Sequence, residues 1–514
     1  MDSTRDIDLT SNEGRRVYER SLRLLFLTAA HKECPNAKVH IEHSVHYGVF
    51  ARMSIPIDAY TVRRIEKRMR EMVEQGVPFI REEYEYERLL DLMEKTGNDA
   101  ALRLLQSPGI DNTPAPVYTC DGFSAYLFGE CAATAVPLTR FSLRPYLLGL
   151  IIHLPQPSNS IRKPWVDQPQ YVRTFREAAK WAKILGCRYI ADLNGMVAHS
   201  NADSGNAANK LSINSFVWIS EALHEKSIAE IADKIAIRKA RVILIAGPSS
   251  SGKTTFTHRL SIQLRVIGKR PVIISLDNYY KNRDDVPLMP DGSRDLESLD
   301  SLRLDLLNDH LVRLLAGERV CIPNYDFVNG QTLPGTDYML AADQPLLIEG
   351  IHGLNPQIAV NVPSELRFKI YISALTTLNF DSFNRLRTTD TRLIRRIVRD
   401  HLFRGSTIEH TLSMWDSVRR GEESWIFPFQ ESADISFNSA LLYELSVLKK
   451  YAIPLLNQIS PDSPHNAAAS RIRQLLSYIE CADVEADIPP TSILREFIGG
   501  CAFYIKTKTP ETVD

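Results

Sequence analysis

The sequence predicts an α/β fold, a doubly wound parallel sheet, preceded by a separate N-terminal α+β domain. Three observations predict it. Residues 242–246 form a short apolar run of the kind that a strand buried on both faces requires. Gly247, Gly252, Lys253 and Thr254 follow in the spacing G-x-x-x-x-G-K-[ST], and Phe256, Leu260, Leu264 and Ile267 then keep helical spacing. Further apolar runs at 272–276, 345–348 and 368–372 alternate with helical patterns, as strands joined by crossover helices do.

The elements come in the following order. At 514 residues the chain is too long for one core, and its 44% hydrophobic and 24% charged content is ordinary for a globular protein. Residues 16–31 read as a helix, 38–42 and 49–55 as strands, 58–75 and 82–96 as amphipathic helices, and 117–139 as further strands. This gives an α+β domain over 1–200. The apolar stretch 146–154 is too short to span a bilayer and ends at Pro155. Residues 200–209 are polar and turn-rich, hence expected on the surface. Ile219, Leu223, Ile228, Ile231 and Ile235 form an apolar helical stripe leading into the strand at 242. A linker and connecting helix are therefore placed at 201–240, the phosphate-loop domain at 241–460 and a helical extension at 461–514.

Composition narrows the setting. A net charge of −1 gives no bulk electrostatic support for a nucleic-acid or membrane partner. The charged N-terminus lacks the apolar core of a signal peptide, and the seven cysteines contain no C-x-x-C pair. A reduced, cytoplasmic location is expected.

The loop Gly247, Pro248, Ser249, Ser250, Ser251 and Gly252 opens the helix carrying Lys253, Thr254 and Thr255. Backbone N–H groups in such a loop curl around phosphate oxygens, and the positive helix end adds to the attraction. Lys253 is expected to bridge β- and γ-phosphates, and the Thr254 hydroxyl to ligate Mg²⁺. In doubly wound sheets, ligands sit at the carboxyl ends of strands. Two strand candidates end there in acids, Asp277 and Glu349. One carboxylate can deprotonate an attacking hydroxyl while the other holds the metal; the bland reading of each is a helix cap. Arg392, Arg395, Arg396 and Arg399 recur on one side of a helix, with Ile394, Ile397, Val398 and His401 on the other. The expectation is four outward guanidinium groups matched to transferred phosphoryl charge, followed by a mobile lid with Arg404, Arg419 and Arg420. The alternative is a solvated basic face paired with Asp390 and Asp400. No Asn-Lys-x-Asp guanine reader follows the loop, and no Leu-Ser-Gly-Gly signature of a transporter ATPase appears.

In ordered combination, several stretches resemble the uridine kinase/phosphoribulokinase family over roughly 240–460. They are Gly247-Pro-Ser-Ser-Ser-Gly-Lys-Thr-Thr255, Ser275-Leu-Asp-Asn-Tyr-Tyr280, Pro323-Asn-Tyr-Asp-Phe327, Ile348-Glu-Gly350 and Asp390-Thr-Arg-Leu-Ile-Arg-Arg-Ile-Val-Arg-Asp400. The resemblance implies a P-loop NTPase sheet of the nucleoside-kinase kind and ATP-dependent phosphorylation of a ribose-type 5′-hydroxyl. It implies Asp277 as catalytic base, Tyr280 as nucleoside contact, Tyr325 as base-stacking residue and Glu297 as ribose ligand. It also implies Glu349 as the magnesium-associated acid and Arg392 and Arg395 as lid arginines, with Arg399 on the substrate side. Uridine kinases follow Tyr-Asp-Phe with a pyrimidine-reading His. Here Val328-Asn-Gly330 follows, so uridine or cytidine is the default substrate only.

The first half resembles the editing-type domain of threonyl-tRNA synthetase, through Asn36-Ala-Lys-Val-His-Ile-Glu-His-Ser-Val-His-Tyr-Gly-Val-Phe50 and Asp121-Gly-Phe-Ser-Ala-Tyr126. That domain uses a His-x-x-x-His pair. Here His40, His43 and His46 are spaced by three in β-like surroundings, which favours a structural role over a metal site. RNA binding by this half and a homo-oligomer stay open on the resemblance. The tail Ile488-Pro-Pro-Thr-Ser-Ile-Leu-Arg-Glu-Phe-Ile-Gly-Gly500 reads as a docked terminal element, in cis or on another subunit. The leading expectation is a Mg-ATP-dependent nucleoside kinase. A kinase of another sugar or pantothenate-like alcohol, and a nucleotide-sensing or RNA-binding protein without turnover, are the rivals.

Overall fold

The computed structural model describes residues 7–107, 109–110, 113–155, 165–200, 211–288, 294–326 and 329–503. The expected surface segment 200–209 lies outside the described residues, apart from the end of a helix. The first half begins with α1 (Asn12–Glu33), capped by the Ser11 side chain, which accepts from the Gly14 N–H. Its middle is buried all round, with Leu22, Leu24, Leu25, Phe26 and Leu27 at the centre of the first core. The chain then forms β1 (Val39–Val45), β2 (Gly48–Met53) and α2 (Ala59–Glu74), followed by β3 (Phe79–Tyr84), α3 (Tyr86–Thr96) and α4 (Asp99–Leu105). Next come β4 (Ala115–Cys120), β5 (Phe123–Tyr126), β6 (Ser142–Tyr146) and β7 (Gly149–His153). They build two antiparallel sheets, β1-β2-β7-β6 and β3-β4-β5.

Two sequence expectations are corrected here. The helix expected from residue 82 starts at Tyr86, because Glu82, Glu83 and Tyr84 pair with Val117, Pro116 and Ala115 of β4. Residues 127–139 carry no strand, only an isolated bridge from Thr134 to Pro78. The apolar run 146–154 is β7, an interior strand, which explains its hydrophobicity. Among the described residues, no helix is long and apolar enough to cross a membrane.

Helices α5 (Pro169–Ile184), α6 (Ile190–Ser200) and α7 (Ile213–Arg238) lead into the second half. Helix α7 buries Ile213, Phe216, Val217, Ile228, Ile231 and Ile235, whereas Ile219 faces solvent, so the buried stripe differs from the expected one at its start. The second half contains β8 (Val242–Ala246), α8 (Lys253–Val266), β9 (Val272–Ser275) and α9 (Leu304–Leu315). The hairpin β10 (Val320–Asp326) and β11 (Gln331–Tyr338) precedes β12 (Leu346–Glu349) and β13 (Arg367–Ser373). The remaining elements are α10 (Thr388–Arg404), α11 (Ile408–Trp425), β14 (Ile435–Asn438), α12 (Glu444–Leu456), α13 (Asn466–Ser477) and the single turn α14 (Arg495–Ile498).

The central sheet is parallel, ordered β14-β13-β8-β12-β9, with every residue of β8 and β12 buried. The doubly wound sheet expected from the alternating pattern is thus present.

The two halves interlock. The connection from β13 to α10 enters the first half, where Phe383 joins the core around α1. Glu19 of α1 pairs with Arg385 at 2.9 Å and Arg387 at 2.8 Å, and the Arg23 guanidinium donates to the Phe383 carbonyl at 2.7 Å. The Ile41 N–H donates to the Ser382 carbonyl at 2.8 Å. His40 and His43 lie on β1, as their β-like surroundings implied, and His43 stacks on Phe175 with ring centroids 3.5 Å apart.

Candidate active site

β8 delivers the phosphate loop to the carboxyl edge of the sheet. A Cβ on Gly247 would come within 2.2 Å of the Ile372 carbonyl oxygen, so only glycine lets the loop leave between β8 and β13. Gly252 has φ +80°, the left-handed conformation that turns the loop into α8. Ser250 also has positive φ, at +59°. The Lys253 ammonium donates to the Pro248 carbonyl at 3.2 Å. Burial lowers its proton affinity, while Glu349, Asp277 and Glu496 pull it back up. Lys253 therefore looks out on three carboxylates.

The parallel register explains two of them. Glu349 on β12 sits opposite Ser275 on β9, and the Ser275 hydroxyl donates to Glu349 Oε1 at 3.0 Å. The Asp277 N–H returns to that hydroxyl at 3.3 Å. Adjacent strand ends so hold both acids beside Lys253. Burial raises the pKa of both: Glu349 is pushed up to about 7, with Asp277 adding repulsion, and Asp277 is raised against the pull of Lys253 and Arg404.

The residues expected on the acceptor side also converge. The Tyr280 and Tyr325 rings lie 5.5 Å apart, and the hairpin β10–β11 holds Tyr325. Glu297 packs on Gly421 of α11, where a Cβ would meet the Glu297 Cβ at 2.5 Å. Burial raises Glu297 to about 7, Arg396 opposing and Glu422 reinforcing the shift. Phe327 and Val328, the second of which is where the run departs from the uridine kinase pattern, lie outside the described residues.

The arginine helix differs from expectation. Arg392 and Arg395 do not point outward; they are 1% and 0% exposed. Arg392 donates to the Ser249 carbonyl at 2.9 Å and forks onto Glu422 of α11, whose Oε1 also accepts the Ser249 N–H at 3.3 Å. Arg395 donates to the Ser250 carbonyl at 3.3 Å and pairs with Glu444 of α12. Burial pushes Glu422 up, but Arg392 and Arg419 outweigh it and hold it below its ordinary range. Arg396 reaches the Ser249 hydroxyl at 2.9 Å, and Arg399 binds Asp400 at 2.7 Å. His401, expected to pack, is exposed. The stretch expected as a polar lid is helix α11, in which Arg419 pairs with Glu422 and Glu423.

The physical reason is that α10 is covered on both sides, by α12 and α14 and by α11 and the loop. The counter-acids lie 30 and 49 residues beyond their arginines, out of reach of any helical periodicity. Glu422, Glu444, Ser275 and Glu496 were not singled out in the sequence. Two of them carried a signal, Ser275 by opening a family-like stretch and Glu496 by its place in the docked tail.

A family model described as the phosphoribulokinase/uridine kinase family matches residues 242–443. The uridine kinase of Borreliella burgdorferi (strain ZS7) is 30% identical over 217 residues, 41% of this chain and 95% of the relative. That of Chloroflexus aggregans is 30% identical over 197 residues, 38% of this chain and 85% of the relative. That of Deinococcus deserti is 28% identical over 196 residues, with the same two shares.

Proposed function

Since the chain belongs to the phosphoribulokinase/uridine kinase family and is a phosphotransferase, we propose that it moves the γ-phosphoryl group of ATP to the 5′-hydroxyl of a nucleoside, uridine or cytidine by default. The observation that carries this reading is the meeting of Lys253, Asp277 and Glu349 at the ends of neighbouring parallel strands. Asp277 accepts the proton of the acceptor hydroxyl, whose oxygen bonds to the γ-phosphorus as the bond to the ADP oxygen breaks. Lys253 and the loop amides hold the β- and γ-phosphates. Arg392 and Arg395 act chiefly by gripping the Ser249 and Ser250 carbonyls, which fixes the cradle, Arg396 adds a bond to the Ser249 hydroxyl, and Arg399 serves the acceptor side. Tyr280, Tyr325 and Glu297 line the nucleoside.

The donor set suits a hard divalent cation. The Glu349 carboxylate and the Thr254 hydroxyl are oxygen ligands of the kind Mg²⁺ takes, and the raised proton affinity of Glu349 marks a site short of positive charge. Bound there, Mg²⁺ would neutralise charge on the β- and γ-phosphates.

The first half, with its resemblance to a synthetase editing-type domain, serves in this reading to orient the kinase half through the Glu19 contacts. The division at about 200, 240 and 460 belongs to the same proposal. A panel of nucleosides and other alcohols, assayed for ATP-dependent product with the Lys253→Ala variant alongside, tests it. Phosphorylation of a nucleoside by the wild type, lost by several orders of magnitude in the variant, is expected. Product only from a non-nucleoside alcohol would overturn the acceptor assignment, and undiminished product from Lys253→Ala would overturn the site.

A further inference from the structure

The tail that the sequence left unplaced docks in cis on the phosphate loop. Pro490 and Ala502 close it on itself, the Ala502 N–H donating to the Pro490 carbonyl at 2.9 Å. Ser492 fixes it to α7 by donating to Glu221 Oε1 at 2.5 Å. From there Ile493, which is fully buried, presses its Cγ2 to within 2.5 Å of where a Cβ on Gly252 would stand. The Phe497 ring lies 5.0 Å from the guanidinium carbon of Arg395, the residue that grips Ser250. Between them Glu496, 8% exposed, accepts the Thr255 hydroxyl at 2.8 Å.

That bond carries the inference. Thr255 directly follows the last residue of the phosphate-loop motif, Thr254, and is fully buried. A hydroxyl has one hydrogen to donate. While Glu496 accepts it, a phosphate oxygen cannot. Glu496 has no cation within ion-pair distance among the described residues, although it lies close enough to Lys253 to favour the charged ammonium. An anionic carboxylate is thus held against a loop built to bind anions, in the low-dielectric surroundings where charges act most strongly on one another.

We propose that Glu496 is an affinity-determining residue of the nucleotide site: it occupies the Thr255 hydroxyl, and a nucleoside diphosphate binds only as this carboxylate yields. The nucleotide site then extends from the loop into the C-terminal segment 488–500, more than two hundred residues away in sequence. This inference rests on the reading of the loop as a nucleotide site.

The test titrates ADP and adenosine calorimetrically into the full chain, as wild type, Glu496→Gln, Thr255→Val and the double variant. Glutamine keeps the shape and removes the charge. Glu496→Gln should bind ADP at least about fivefold more tightly while its adenosine affinity stays at the wild-type value, since the repulsion acts on phosphates. The gain should shrink in the Thr255→Val background, because the two residues act through one hydrogen bond. Hydrogen exchange on the wild type supplies a readout free of folding defects: amides of 493–498 should exchange faster with ADP bound. Unchanged or weaker ADP binding by Glu496→Gln, an equal gain for adenosine, or exchange slowed by ADP would each overturn the proposal. A wild type that binds no ADP would overturn the nucleotide-site reading itself.

Discussion

Asp277→Asn separates chemistry from stability at one atom. Asparagine keeps the shape of the side chain and the backbone bond to Ser275, but it cannot take the proton of an acceptor hydroxyl. General-base catalysis contributes roughly 10²–10⁴ in rate, about 3–5 kcal/mol of barrier at some 1.4 kcal/mol per decade, so kcat should fall by that factor. Stability should move the other way. Burial raises the pKa of Asp277 above its ordinary 3.8. A group whose folded value is raised contributes stability that is full below the unfolded value and lost as pH rises through the folded one. The wild type loses that contribution as pH rises through this raised value, and asparagine, which does not titrate, has nothing to lose. The variant should therefore melt at or above the wild-type temperature at pH 7.5 and lose this advantage as pH falls toward 4. Initial rates of ADP release at saturating substrate, paired with melting curves across that range, read both effects. A kcat within about threefold of wild type, or lost activity with a melting temperature several degrees lower, would refute the base assignment and leave Asp277 a scaffold residue.

Further outcomes follow from the same geometry. Glu349 is raised to about 7, so without nucleotide or metal its contribution to stability is present below pH 4.5 and lost as pH rises through 7. Melting curves from pH 4.5 to 8 should fall more steeply for wild type than for Glu349→Gln, and added Mg²⁺ should recover part of the loss; parallel curves would count against the acid pair. Glu422→Gln strips Arg392 and Arg419 of a shared buried counter-charge, a loss of about 3–5 kcal/mol that chemical denaturation would register. A shift below about 1 kcal/mol would show that the fork contributes little. Gly252→Ala forces a side chain into φ +80° and onto Ile493, so ADP binding should weaken by at least about tenfold while the central sheet persists by circular dichroism. Glu19→Gln removes the partner of Arg385 and Arg387, and amide exchange over 379–387 should rise.

What the sequence makes legible is local. The β8–loop–α8 unit, the acids at strand ends and the parallel sheet follow from runs and spacings a few residues long, and the structure places them as expected. Periodicity fails where burial is set by distant partners. The arginines of α10 look like one polar face, yet Glu422 and Glu444 convert that face into an interior, and no pattern within the helix announces them. β14 is four residues long at the sheet edge, with two apolar side chains, too little for a period to register. The start of α3 was misplaced because Glu82 and Glu83 suit an exposed strand as well as a helix, and pairing with β4 decides between them. The tail was recognisable as a unit, but its seat depends on Gly252, Thr255 and Arg395, which nothing in its own residues encodes.

Arg387 is the residue immediately before α10, and Arg392 lies five positions on, about 7.5 Å along the axis at 1.5 Å per residue. One end of this short rigid span is moored to Glu19 in the first half, and the other holds the Ser249 carbonyl. The arrangement works as a lever with its load at the phosphate cradle. Severing the chain between its halves would then do more than remove a neighbour: it would slacken the mooring and let the grip on Ser249 drift, so the two halves share a mechanical fate although nearly four hundred residues separate Glu19 from Arg392.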